Sequence, residues 1–199
     1  MKNIQTILLI VAFIALNFMY FYFQNKLLEM KVIQNELSII KSKEQFYNLN
    51  FSLNSKMLWT KAPDILCLKQ KGNLVSLSQM VKKKPVLVYR FTHKNCAPCN
   101  EAEISNIQEI FKDNLEPVNI LCSYFSIDDF FTFKRMNRKI TNSYHITFEA
   151  FELELEKYNS PYYFVLHPDM KISHPYLPNN SYPELSKLYL EGIKRLLAE

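Results

Sequence analysis

The stretch KPVLVYRFTHKNCAPCNEAEISNIQEIFKDN, Lys84–Asn114, decides the fold prediction. Its first part, Pro85–Phe91, is a continuous apolar run rich in β-branched and aromatic residues, which predicts a central strand buried on both faces. Its last part, Cys99–Asn114, alternates apolar and charged residues at helical spacing and predicts an amphipathic helix. Two cysteines therefore lie where a buried strand passes into a helix.

This position gives the two cysteines different chemistry. Pro98 suits the first turn of a helix because the amide hydrogen it lacks has no partner there. Cys96 then lies at the positive end of the helix dipole, where the pKa of a cysteine typically falls to about 3.5–7.5. Cys99, one turn further in, is placed to resolve a mixed disulfide formed on Cys96. We predict Cys96 as the nucleophile and Cys99 as the resolving thiol of a redox-active disulfide.

The segments around this stretch alternate between strand and helix patterns, which is typical of an α/β domain. A hairpin is predicted before it, with a turn that carries Gly72 between two short apolar runs. After it come a strand, a helix, a pair of strands and a closing helix, predicted over 117–125, 127–140, 160–176 and 182–197.

Composition excludes several classes of protein. Only two glycines occur among the 199 residues, so glycine-rich phosphate-binding loops are excluded. The net charge of +5 is modest, and the one tight lysine cluster, Val81–Pro85, lacks arginines and interleaved aromatics. We therefore predict a solvated turn there and no nucleic-acid partner.

The N-terminal segment differs in character from the rest. Between Ile7 and Phe23 only Asn17 is polar, a length and composition that predict a single-pass membrane anchor over 1–23. A cleaved signal peptide is the alternative, but the apolar run is long for one and no small-x-small cleavage site follows. Residues 24–61 are predicted as a helical stalk and an irregular linker from Leu49, and 62–199 as the folded domain.

Over 62–199 the sequence resembles the thioredoxin superfamily, most closely its membrane-anchored, extracytoplasmic TlpA-like branch of redoxin-type thiol-disulfide oxidoreductases. The resemblance rests on KPVLVYRF, CAPC, SPYYFVLHPDMKI and the closing helix. It implies a thioredoxin-like fold, a central mixed sheet flanked by helices, with the transmembrane helix and stalk in front. It also implies that Ser160 and a cis-bonded Pro161 face the cysteines and bind substrate.

The resemblance further implies a function and a location. The domain would lie on the periplasmic side of a membrane and reduce or exchange disulfides in client proteins, without a cofactor or metal and with a separate electron donor or acceptor. Two positions depart from the family. Asn95 stands where the family usually has Trp, and Arg90 stands six residues before Cys96, where thioredoxin has a buried acid.

Two other functions stay open from the sequence. With His93 nearby, the cysteine pair is also compatible with a thiol protein that handles copper or zinc. An anchored thioredoxin-fold binding module that keeps the disulfide as a staple is the non-catalytic alternative. Cys67 and Cys122 stand alone within apparent strands and are predicted as buried core cysteines.

Overall fold

A computed structural model describes residues 2–70, 73–81, 83–147 and 151–198, without the side chains of residues 2–10, 12 and 70. The chain forms two compact units, residues 1–49 and 50–199. The predicted turn at Gly72 lies outside the described residues.

The first unit is helical throughout its described length. It belongs to helix α1, which runs from Lys2 to Met57 and includes the predicted anchor and stalk. Within the described residues, no helix combines the length and apolar character that crossing a membrane requires. The side chains of residues 1–10 and 12, part of the predicted anchor, lie outside the description, so the anchor stays a prediction from the sequence.

The second unit is built on one mixed sheet. Its seven strands follow the order β2-β1-β5-β4-β3-β6-β7. The three middle strands β5, β4 and β3 are parallel, whereas the neighbours on both sides run antiparallel to them. In chain order the strands are β1 (Leu66–Gln70), β2 (Asn73–Ser76), β3 (Val86–Thr92), β4 (Val118–Ser123), β5 (Ser143–His145), β6 (Tyr162–Leu166) and β7 (Ile172–Tyr176).

Helices cover the sheet, and their starts follow from capping residues. Ser76 caps the short α2 and Ser126 caps α4, each accepting a hydrogen bond from a backbone N–H of the first turn. α3 and α5 pack against each other. Besides the end of α1, the described residues of this unit form the helices α2 (Leu77–Met80), α3 (Ala97–Ile110), α4 (Ile127–Met136), a 3₁₀ helix (Glu154–Tyr158) and α5 (Pro183–Ala198).

The predicted linker over 49–61 is wrong for most of its length. Helix α1 continues to Met57, and the side chains of Leu53 and Met57 are 0% and 2% exposed. Asn50 accepts a hydrogen bond from the N–H of Leu177 at 2.8 Å, which ties this last part of α1 to the segment after β7. The polar residues in this segment thus make backbone contacts within the folded unit instead of marking a loop.

Most strands and helices agree with the sequence prediction. Every residue of β3 is buried, as a central strand requires, and β1 and β2 form the predicted antiparallel hairpin. The prediction missed β5, which has three residues, and the 3₁₀ helix. It also extended α4 four residues too far, because the chain leaves the helix at Asn137.

Candidate active site

The two cysteines of the motif are joined in a disulfide at the start of α3. Cys96 is the N-cap residue, and its sulfur accepts a hydrogen bond from the N–H of Cys99 at 3.3 Å. The Cα atoms of the pair are 5.2 Å apart. Cys96 is exposed and Cys99 is half-buried. The structure therefore places the outer and inner cysteine as the sequence predicted.

The backbone around Cys96 places N–H groups of the first helical turn beside its sulfur. The first turn of α3 contains Pro98, and the sulfur of Cys96 faces the free amide of Cys99. Backbone N–H groups and the positive end of a helix dipole stabilise a thiolate over a thiol. The predicted role of Cys96 as nucleophile depends on this local geometry.

Ser160 and Pro161 lie between the 3₁₀ helix and β6. Ser160 is half-buried, whereas Pro161 is buried. The resemblance implied a cis bond between them, but no cis peptide bond occurs in the described residues, so this prediction is wrong for the structure. The trans form is the lower in energy for a bond to proline. The chain turns instead at Asn159, whose backbone is left-handed with φ 48°, a conformation that asparagine tolerates.

Asn95 connects these two parts of the site. Its side-chain oxygen accepts hydrogen bonds from the N–H of Thr92 at 2.7 Å and from the Thr92 hydroxyl at 3.3 Å. Its side-chain nitrogen donates to the carbonyl of Asn159 at 2.9 Å. The residue before Cys96 is thus bonded to the residue before Ser160, and the structure brings all four predicted site residues to one end of the sheet.

Arg90 lies beneath this end, fully buried within β3. Its Nε donates to a carboxylate oxygen of Glu156 at 2.8 Å, and its Nη1 donates to the Phe91 carbonyl at 2.8 Å and to the Ser123 hydroxyl at 2.9 Å. The same oxygen of Glu156 accepts from the Tyr162 hydroxyl at 2.9 Å. A buried arginine and an acid from the 3₁₀ helix therefore form an ion pair beneath the site.

A narrow pocket separates this ion pair from the turn that carries the cysteines. Arg90 Nη2 is buried and has no hydrogen-bond partner within the described part of the chain. The pocket lies among the ion pair, the contact between Asn95 and Asn159, and Ser160. Its lining residues are Arg90, Phe91, Thr92, Asn95, Glu156, Asn159, Ser160 and Tyr162.

Sequence reasoning missed Glu156 and Asn159. One signal could have pointed to the acid, because an arginine inside an otherwise apolar strand needs a carboxylate partner when it is buried. The acidic run at Glu152, Glu154 and Glu156 offered three candidates, and only the fold selects Glu156. Nothing in the sequence marks Asn159 as the partner of Asn95.

A second buried acid, Glu103, lies on α3 one turn after Cys99. It is 2% exposed, and it accepts a hydrogen bond from the Tyr163 hydroxyl at 2.7 Å. Burial raises the pKa of its carboxyl group, although the hydrogen bond from Tyr163 opposes the shift. Glu103 therefore holds its proton to higher pH than an exposed glutamate does.

His93, which the sequence placed near the cysteines as a possible metal ligand, makes other contacts. His93 Nδ1 lies 3.3 Å from the Ser123 carbonyl, and its ring contacts exposed Phe125. Among the described residues, no three His, Cys, Asp or Glu side chains are grouped as metal ligands. Cys67 and Cys122 are free and buried, as predicted. Burial raises the pKa of Cys67 to about 12 and raises that of Cys122 as well.

Comparison with solved structures identifies the architecture. A solution structure of a thiol:disulfide interchange protein from Bacteroides sp. is 22% identical in sequence, with a TM-score of 0.51 over 71% of this chain and 91% of that one. The chain has a thioredoxin-like fold. At this level of identity the likeness establishes the fold and nothing finer.

Other solved structures with the thioredoxin-like fold are similar at lower scores. The thioredoxin domain of a thiol-disulfide oxidoreductase from Bacteroides vulgatus is 19% identical, with a TM-score of 0.46 over 70% of this chain and 97% of that one. A thiol:disulfide interchange protein of the thioredoxin family from Chlorobium tepidum is 14% identical, with a TM-score of 0.46 over 71% and 97%. No protein-family profile matches the sequence, and no curated protein does.

Proposed function

We propose that this protein is a thiol-disulfide oxidoreductase that reduces or exchanges disulfides in client proteins. The observation that carries the proposal is the disulfide between Cys96, exposed at the N-terminus of α3, and the half-buried Cys99. An exposed, acidic thiol with a second thiol in bonding reach is the arrangement that exchange chemistry needs. The thioredoxin-like fold is consistent with this activity.

The reaction follows from the different exposure of the two sulfurs. In the reduced protein, the Cys96 thiolate attacks one sulfur of a client disulfide, which forms a mixed disulfide and releases the other client sulfur as a thiolate. Cys99 then loses its proton and attacks Cys96, so the Cys96–Cys99 bond forms and the second client sulfur leaves. Two electrons pass to the client, and a dithiol donor must return two electrons to the protein. Oxidation of a client dithiol is the same sequence reversed.

Ser160 and Pro161 form the substrate groove in this proposal. Ser160 is the accessible member of the pair, and the bond between Asn95 and Asn159 holds its segment beside the cysteine turn. An extended client segment that lies against Ser160 would present its disulfide to Cys96. Pro161, being buried, shapes the backbone there instead of touching the client.

The membrane tether and the extracytoplasmic location are part of the proposal and rest on the sequence. The apolar run from Ile7 to Phe23 supports a tether. Disulfides persist in compartments outside the cytoplasm, where a tethered exchange domain has substrates. Fractionation of cells, with protease protection of the domain on the periplasmic side, tests both points.

Trapping of a mixed disulfide tests the proposed activity. In Cys99→Ser the resolving step is lost, so client proteins should accumulate as covalent adducts of Cys96 that a reductant releases. Cys96→Ser is the matched control, because it keeps one motif cysteine but removes the exposed one, and it should trap little. The wild type should also reduce insulin with dithiothreitol as the electron donor. Absence of adducts together with absence of insulin reduction would favour the non-catalytic binding module.

A further inference from the structure

The amide of Asn95 makes contacts in two directions. Its oxygen is bonded to Thr92, at the end of β3, and its nitrogen is bonded to the carbonyl of Asn159, 64 residues further along the chain. The orientation of the amide follows from its partners, because the N–H of Thr92 can only donate and the carbonyl of Asn159 can only accept. One side chain therefore links two segments through complementary bonds.

The linked segments are the two halves of the proposed site. Asn95 is directly before Cys96, and Asn159 is directly before Ser160. Asn159 has a left-handed backbone with φ 48° and ψ 33°, a conformation that non-glycine residues adopt at a cost and that surrounding contacts must maintain. The hydrogen bond to its carbonyl is such a contact. The amide of Asn95 thus sets the spacing between the nucleophile and the groove.

A separate contact holds the other end of the same segment. Arg90 and Glu156 join the 3₁₀ helix to β3 through a buried ion pair, and the Tyr162 hydroxyl adds a bond to the same carboxylate. These contacts do not involve Asn95, so the segment stays attached when the Asn95 amide is removed. Within this segment, the loss is confined to the end that carries Ser160.

We propose that Asn95 is a positioning residue for protein substrates: it holds Ser160 at the distance from Cys96 that an extended client segment requires. This inference rests on the proposed function. A protein substrate uses both Cys96 and the groove, whereas a small symmetrical disulfide needs only the exposed sulfur. Loss of the Asn95 side chain should therefore lower activity toward protein disulfides and leave activity toward small disulfides unchanged.

The test compares Asn95→Ala with wild type on two disulfides, insulin and 5,5′-dithiobis(2-nitrobenzoate). The variant is neutral, so it adds no charge beside Cys96. We expect kcat/KM for insulin to fall about three- to tenfold, mostly through a higher KM, because only one of the three lost hydrogen bonds, the one to the Asn159 carbonyl, reaches the groove, and one hydrogen bond typically contributes that much. The rate with the small disulfide and the alkylation rate of reduced Cys96 should stay at wild-type values.

Two further variants keep the test decisive. The serine side chain in Asn95→Ser is too short to bond to the Asn159 carbonyl, and it is closer in size to asparagine than alanine is. This variant should behave like Asn95→Ala. Asn142→Ala is the matched control, because the Asn142 amide also donates to a backbone carbonyl, that of Glu116 at 2.9 Å, away from the cysteines. It should leave both activities unchanged.

The outcomes separate this inference from the proposed function. Equal losses on both disulfides would overturn the positioning role, because Asn95 would then act on the sulfur itself. Unchanged insulin kinetics in both Asn95 variants would overturn it as well. A wild-type protein inert toward insulin and toward the small disulfide would instead remove the proposed function, and the positioning role with it.

Discussion

At the scale of single residues, Arg90 shows how a charge is accommodated inside a sheet. A guanidinium group loses its hydration when it is buried, and the loss is offset only when a counter-charge and hydrogen bonds replace the water. Glu156 supplies the counter-charge, and Phe91 and Ser123 supply acceptors. Because Glu156 also binds Tyr162, the 3₁₀ helix is held to the sheet by a carboxylate that bridges two strands.

Removal of that carboxylate should be costly. We expect Glu156→Ala to lower the free energy of unfolding by about 3 kcal/mol, because Arg90 would remain buried without a counter-charge. Urea denaturation followed by circular dichroism measures the change. Glu154→Ala is the matched control, since Glu154 lies on the same 3₁₀ helix but pairs with Lys157 at the exposed surface, where ion pairs contribute little. Equal effects of the two substitutions would contradict the structural role given to Glu156.

The residues of the site differ in how far the sequence could predict them. Cys96 and Cys99 were predictable because their chemistry depends on local spacing at a strand-to-helix junction. The role of Asn95 was not, since it depends on Asn159, which only the tertiary fold brings near. The resemblance to a family even counted Asn95 as a departure, whereas the structure gives it three hydrogen bonds.

At the scale of elements, α3 presents two different faces. Its first turn exposes Cys96 to solvent, and its buried face packs Glu103 and Ile107 against the domain interior. The Tyr163 hydroxyl donates to the carboxyl of Glu103 from β6. An acid is thus enclosed between a helix and the sheet, and its protonation is linked to folding.

This link gives stability a pH dependence of known sign. Burial raises the pKa of Glu103 in the native state above its ordinary value of 4.5. Between these two pKa values the native state keeps the proton that the unfolded state has released, so stability falls as pH rises through this window and levels off above the native pKa. Glu103→Gln has no ionisable group at this position, so its stability should decrease less than that of the wild type as pH rises.

Thermal unfolding between pH 4 and pH 8 measures the effect. Glu101→Gln is the control, because Glu101 is exposed on the same helix, and its profile should follow that of the wild type. A Glu103→Gln profile that falls as steeply as the wild-type profile would show that another group is responsible.

Elements with a strong periodic pattern were predictable, and those without one were not. β3 and α3 carry unambiguous apolar patterns, and both were found. The last part of α1 was predicted as a linker because Asn50, Ser52 and Asn54 lie between its apolar residues. Such polar side chains often favour turns, but the Asn54 amide here donates both to the carbonyl of Asn50 within the helix and to the distant carbonyl of Pro175, each at 3.1 Å.

At the scale of the whole molecule, the folded unit begins earlier than the sequence predicts. It starts at residue 50, so the end of α1 is part of its core. Leu53 and Met57 contribute fully buried apolar side chains, and removal of such side chains typically costs about 2–5 kcal/mol each.

Two fragments distinguish the observed boundary from the predicted one. A fragment of residues 45–199 should unfold cooperatively, whereas a fragment of residues 62–199 should melt at a much lower temperature or lack a cooperative transition. Near-ultraviolet circular dichroism during heating measures both. Equal midpoints would show that the segment from Asn50 to Lys61 contributes little to the core.

The placement of Cys67 and Cys122 has a consequence for how the protein meets an oxidising environment. Of the four cysteine sulfurs in the chain, two are buried in the interior, where burial keeps them as thiols. Once folding is complete, disulfide formation can withdraw only one pair of electrons from the cysteines, that of Cys96 and Cys99. Non-native disulfides among the four cysteines can therefore form only while the chain is folding. The folded protein has one cysteine pair that can exchange two electrons.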